Sequence, residues 1–242
     1  MEKSNRSILN EVAKAKLGPF GFMKHKNNPR KWVKDCGYFF IWIWIDSSSF
    51  AERYRFQYGV QFLHSRKDEV TMYLSETCAT VRAEDYLNEN RAFEQALIDG
   101  FDELLSRKHF ARLAQSAQNH QVFYEILLED EATKDYSIGW MWRYWYLTYF
   151  CFLFNQTADG NKWLEITKQE VEKYKYFEMA EGKIGRRDFV FEFEKNSLLP
   201  FIKTEDKQQA LEQMIKETRS AYRAGGVKKL PYDLFFEREI NI

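Results

Sequence analysis

What is scarce in these 242 residues closes off whole classes of protein. There are three cysteines, Cys36, Cys78 and Cys151, odd in number, widely spaced and without a C-x-x-C. That argues against a disulfide framework or a zinc ribbon and points to a reducing cytosol. Four prolines and eleven glycines exclude a collagen-like or linker-dominated chain. The four histidines, His25, His64, His109 and His120, include no i, i+4 pair and no H-E-x-x-H. No metal site is therefore written in local spacing. The phosphate-loop, dinucleotide and nucleophile-elbow signatures are missing too, so no cofactor is expected and catalysis is disfavoured. The longest apolar stretch, residues 140–154, contains Arg143 and falls short of the roughly 20 residues a membrane helix needs. The N-terminal residues hold no uninterrupted apolar core, so no secretory signal is expected.

What is abundant is aromatic: 7 Trp, 14 Tyr and 21 Phe. Such rings favour pleated strands and must be buried in a core or against a partner. Charge balances at 36 basic and 36 acidic residues, yet unevenly. Residues 1–40 hold nine basic and three acidic side chains, while residues 66–135 hold eight and fifteen. The balance disfavours strong generic polyanion binding, and the two segments can attract each other within the chain or present faces of opposite sign to different partners.

Periodicity predicts a helix over 7–17, with Ser7 as N-cap and Gly18-Pro19 as its stop. Residues 38–45 read as a strand covered on both faces. Residues 53–63 alternate, with Tyr54, Phe56, Tyr58, Val60 and Phe62 on one side. Val70, Met72 and Leu74 continue the pattern, and the short connections imply an antiparallel meander near 38–74. A long amphipathic helix is expected over 90–115, packed on the Tyr54/Phe56/Tyr58 face. Alternation predicts further strands at 122–128 and 189–194. Aromatic and threonine content favours a long or bent strand over 140–154, with a buried helix as the alternative. A helix is expected near 163–174, and a C-terminal helix over 205–224 with Thr204 as N-cap and Gly225-Gly226 as its end. The whole is an α+β chain, mainly antiparallel sheet with helices packed on it, read as one domain over 1–242. The alternative boundary is near 129–139.

Residues 8–63 carry a pattern of a helix ending in Leu17, then Gly21-Phe22-Met23-Lys24, a basic stretch with Trp32, the apolar strand 38–45 and a second strand with Gly59-Val60. In this the chain resembles a bacterial domain-of-unknown-function family (number 4304). The resemblance implies a bacterial, cytosolic α+β domain and transfers no catalytic residue.

Two sets of residues stand out as binding candidates. Arg53, Arg55, Gln57 and Gln61 stand in a row on the polar side of their strand, roughly 7 Å apart, as a recognition surface for another protein. Lys24, Lys26, Arg30, Lys31 and Lys34, with Trp32 among them, could hold phosphates and stack a base. The leading expectation is a non-catalytic protein-interaction module, a subunit of an assembly or an immunity-type binder. A nucleic-acid accessory protein using 24–34 is second. A metal-dependent hydrolase or nuclease is third, resting on the E-x-K tripeptides Glu181-Gly182-Lys183 and Glu205-Asp206-Lys207. The Gly182 stretch also reads as a hairpin turn.

Overall fold

The computed structural model describes residues 4–25, 30–48, 53–63, 73–82, 92–132 and 139–224, without the side chains of 47–48, 73–79, 81–82, 109, 130–132, 139–140 and 221–224. The chain groups into two compact units, 1–123 with 215–242, and 124–214. The boundary considered near 129–139 includes residues 133–138, which lie outside the described residues.

In the first unit, α1 (Asn5–Leu17) has its N-cap at Ser4, three residues before the expected cap Ser7. The Ser4 side chain accepts from the Ser7 N–H, and Leu9, Val12, Ala13 and Leu17 form the buried stripe. A five-stranded antiparallel sheet follows in the order β1 (Met23–Lys24), β2 (Lys31–Asp35), β3 (Phe39–Ser48), β4 (Arg53–Phe62) and β5 (Tyr73–Arg82). Each strand pairs with its neighbour in sequence, as short connections require. The β2–β3 link is residues 36–38, in which Gly37 takes φ +89°, a conformation open to glycine at low cost. The third strand of the expected meander is β5; residues 70–72 lie outside the described residues.

One sheet face is packed by helices through a ladder of rings. Tyr54 meets Phe93 at 5.1 Å, Phe56 meets Phe101 at 4.9 Å, Tyr58 meets Phe110 at 5.5 Å and Phe62 meets Phe123 at 5.5 Å. The inward side of β4, set by its period of two, is thus met by rings from three helical segments, residues 93–106, 108–115 and 120–132. The expected long helix is two, α2 (Phe93–Ser106) and α3 (Lys108–Gln115), separated by extended Arg107. A continuous helix would carry Lys108 and Arg112 onto the stripe begun by Phe101 and Leu104. The break instead buries Phe110 and Leu113 and leaves Lys108 exposed.

Residues 122–128 are helical, inside α4 (His120–Ala132), and not a strand. Phe123, Ile126 and Leu127 are the buried positions, so the i, i+3, i+4 spacing outweighs the coincidental alternation. Residues 140–154 likewise correct the strand reading: they form α5 (Gly139–Leu153). Aromatic strand preference reflects packing on a pleated surface, whereas Tyr144 through Phe154 are buried around the whole helix. Next, α6 (Thr157–Tyr174) packs on α5, with Thr148 Oγ1 and Thr167 Oγ1 3.3 Å apart in the buried seam. Gly160 lets Phe152 approach, since a Cβ there would lie 3.0 Å from its ring.

A two-stranded hairpin, β6 (Tyr176–Glu178) and β7 (Ile184–Arg186), follows. Residues 189–193 are then helical, in α7 (Asp188–Phe193), and not the expected strand. Val190 and Phe193 are its buried pair. A π-helical turn, Glu194–Leu198, leads to α8 (Leu199–Lys203). The last helix, α9 (Lys207–Ala224), is capped by Asp206, whose carboxylate accepts from the Gln209 N–H at 2.9 Å. Thr204, the expected cap, donates instead to Pro200 O. Gly225 and Gly226 lie outside the described residues.

Candidate functional site

The register of the sheet assembles its second face rung by rung. Asp35, Phe40 and Gln61 are opposite one another, then Val33, Trp42 and Gly59, then Lys31, Trp44 and Gln57, then Asp46, Arg55 and Thr80. Arg53 lies one step further along β4. Burial falls along this series. Phe40, Trp42 and Val33 are fully covered, Trp44, Lys31, Gln57, Arg55 and Arg53 are half-buried, and Asp46 and Thr80 are exposed.

The row Arg53, Arg55, Gln57 and Gln61 therefore does occupy one face, opposite the ring ladder. Its members differ in access. Gln61 is buried, and its side-chain oxygen accepts from the Trp42 indole N–H at 2.7 Å. The other three remain partly open.

The basic stretch is divided between the two faces of β2. Lys31 joins the rung of Trp44 and Gln57. Trp32 faces the other way, beside Ile43, and is buried, so its ring is not offered to solvent. Lys24 is its cross-strand neighbour, and Lys34 donates to Ala114 O at the end of α3, at 3.5 Å. Arg30 is exposed, and Lys26 lies outside the described residues. His25 packs its ring 6.1 Å from Trp42. Burial, aided by the neighbouring Lys31 ammonium, lowers the pKa of its imidazole.

Trp44 is the residue that sequence reading missed on this face. The run YFFIWIWI reads as apolar on both sides. The only local hint is Asp46, two positions on from Trp44 and therefore on the same side.

The hairpin of the second unit is the other surface of interest. Gly182, at φ +70°, closes its turn, with the Met179 N–H donating to Lys183 O and the Gly182 N–H to Met179 O. Tyr176 is opposite Arg186, and Glu178 opposite Ile184. Those four side chains share one face, on which Ile184 is 77% and Tyr176 55% exposed. Met179 and Phe189 are exposed nearby. The base of the hairpin is held by cations on rings. Arg186 lies 4.1 Å from the Phe191 ring, and Arg187 lies 5.2 Å from Phe177 and 5.6 Å from Tyr174. Lys175 donates to Glu172 and Glu194. Desolvation pulls the Lys175 pKa down, but those two carboxylates outweigh it and hold the ammonium above its ordinary value.

The structure places the first E-x-K tripeptide in this hairpin turn. Glu181 and Lys183 pair with each other at 2.8 Å, both 73% exposed, in the hairpin turn. The strand expected at 189–194, next along the chain, is helix α7 over 188–193. Among the described residues no three His, Cys, Asp or Glu side chains gather as a metal site would require. Cys36 and Cys151 are buried free thiols. Burial pushes the Cys151 thiol up to about 12, and Cys36 is raised further by the same cause, so neither is an activated nucleophile. No helix among the described residues is long and apolar enough to cross a membrane. Compared with protein-family models, curated proteins and solved structures, the chain finds no match.

Proposed function

We propose that this chain is a non-catalytic protein-interaction module that docks another protein on the exposed face of the β6–β7 hairpin. The observation that carries the reading is Ile184, 77% exposed beside Tyr176 on a hairpin whose base is pinned by cation–ring contacts. Covering an exposed isoleucine stabilises a complex by about 1.5–3 kcal/mol. Tyrosine and arginine, present as Tyr176 and Arg186, are the side chains that dominate interface energetics. A two-stranded sheet also offers its edges to a third strand, so the partner gains main-chain hydrogen bonds together with apolar cover. The pinned base lowers the ordering cost of binding.

The setting that fits this role is a bacterial cytosol. Its supports are the buried free thiols Cys36 and Cys151, which suit a reducing compartment, and the resemblance of residues 8–63 to the bacterial family named above. The role itself is that of a subunit in an assembly or of an immunity-type binder.

The test is site-specific photo-crosslinking in the cells that make the protein. A benzophenone side chain at position 184 is expected to give one discrete protein adduct, while the same group at exposed Lys216 gives none. Equal, diffuse labelling from both positions would defeat the proposal.

A further inference from the structure

The open half of the second sheet face holds three cations without a partner among the described residues. Lys31, Arg53 and Arg55 make neither a hydrogen bond nor an ion pair through their side chains among the described residues. The Arg53 Nε is moreover buried without an acceptor. Cations that do find a carboxylate elsewhere include Lys16 with Asp102, Arg107 with Glu103, Lys175 with Glu194 and Arg219 with Asp35. A buried guanidinium nitrogen with no acceptor costs desolvation that a bound anion would repay. On the open half of this face Asp46 is opposite Arg55 in register, yet no ion pair joins them.

Between the cations stands Trp44. It is flanked on its rung by Lys31 and Gln57, with Arg55 one step along on the adjacent strand. Strands lie roughly 4.8 Å apart and same-face residues roughly 7 Å apart. The Trp44 ring is therefore within one side chain's reach of cations on both sides. It is half-buried and makes no ring contact among the described residues.

We propose that this face binds single-stranded nucleic acid, with Trp44 stacking a base and Lys31, Arg53 and Arg55 contacting successive phosphates. Cations alone would suit any anion, including an acidic peptide. An indole set among them, without a ring contact among the described residues, selects a ligand that has a flat π-face beside each phosphate. Gln57, next to Trp44, can both donate to and accept from a base edge. The site differs from the one expected from the basic stretch, because it uses Lys31 but neither Lys24, Lys34 nor the buried Trp32. It is also independent of the hairpin, which belongs to the other unit.

The experiment is fluorescence anisotropy of a labelled oligothymidylate titrated with the full chain, repeated as potassium chloride rises from about 0.05 to 0.2 M. Three phosphate contacts give a log–log slope of about −2, at about −0.7 per contact on single strands. Arg53→Gln with Arg55→Gln is expected to flatten the slope to about −0.7. Trp44→Leu is expected to weaken binding roughly 5- to 100-fold and leave the slope unchanged. Lys24→Ala with Lys34→Ala, on the other side of β2, should alter neither. Thermal melts of each variant exclude unfolding as the cause of a loss, and Ile184→Arg separates this site from the hairpin by leaving oligonucleotide binding intact. Three outcomes overturn the proposal: no binding at the lowest salt, binding that persists unchanged without Arg53 and Arg55, or polyglutamate binding as tightly as the oligonucleotide with no effect of Trp44→Leu.

Discussion

Arg219 and Asp35 form an ion pair in which both side chains are at least 95% buried, tying the last helix to the first wide hairpin of the sheet. Asp35 uses its other oxygen to accept from the Gly37 N–H at 2.8 Å, and Arg219 also donates to Gly37 O at 3.5 Å. The pair thus closes the Gly37 turn and fixes the C-terminal helix in one step. Removing one partner of a buried pair leaves a charge without compensation, at a cost of about 3–5 kcal/mol. Arg219→Met and Asp35→Leu should each lose about that much in urea denaturation. The double variant should lose clearly less than their sum, since no charge remains stranded. Additive losses would mean the two side chains do not interact.

Gly100 and Phe56 are coupled by close approach. A Cβ on Gly100 would sit 2.6 Å from the Phe56 ring. Alanine gains roughly 1 kcal/mol in helix propensity over glycine, but here the ring must move, and forced repacking costs about 1–3 kcal/mol. Gly100→Ala should therefore be destabilising in the native chain. In a Phe56→Leu background, where the ring is gone, the same change should become neutral or stabilising. If Gly100→Ala stabilises the native chain, the packing of α2 on β4 is looser than described.

His25 should make stability pH-dependent below neutrality. Burial beside Lys31 lowers its folded pKa below 6.5. The unfolded chain then binds more protons as pH falls through that value, so unfolding becomes easier on acidification and levels off below the folded pKa. His120, also lowered by burial, acts in the same direction. Relative to the parent, His25→Gln should gain stability as pH drops from about 7.5 to below 6.5. Denaturation midpoints at each pH give the difference curve, and a curve of opposite slope would reverse the assigned environment.

Much of the sheet was legible because its information is local. The alternation of Tyr54, Phe56 and Tyr58 named the buried side, and short connections named the antiparallel order. The helices at 120–132, 139–153 and 188–193 were not legible, because Tyr124, Tyr146 and Phe191 belong to aromatic runs that satisfy both periods at once. Which period is realised there depends on neighbours distant in sequence. The polar row of β4 was legible as a face, but its accessible half was not. Gln61 is sealed by Trp42 and Trp44 is brought in by strand register, and neither is written within the row itself. Gly182 announced the hairpin turn. The exposure of Ile184 was invisible, since an isoleucine in sequence reads as core.

The central reading is that Ile184 is kept on the surface for a partner and not for the fold. The direct measurement is the affinity of the crosslinked partner, once purified, for the native chain and for Ile184→Arg. Arginine at 184 faces Glu178 across the hairpin and so keeps the strand pair intact, with folding stability changed by no more than about 0.5 kcal/mol. A hot-spot residue is worth about 2 kcal/mol or more, so binding should weaken at least about 30-fold. An unchanged affinity would contradict the assignment of this face as the docking surface.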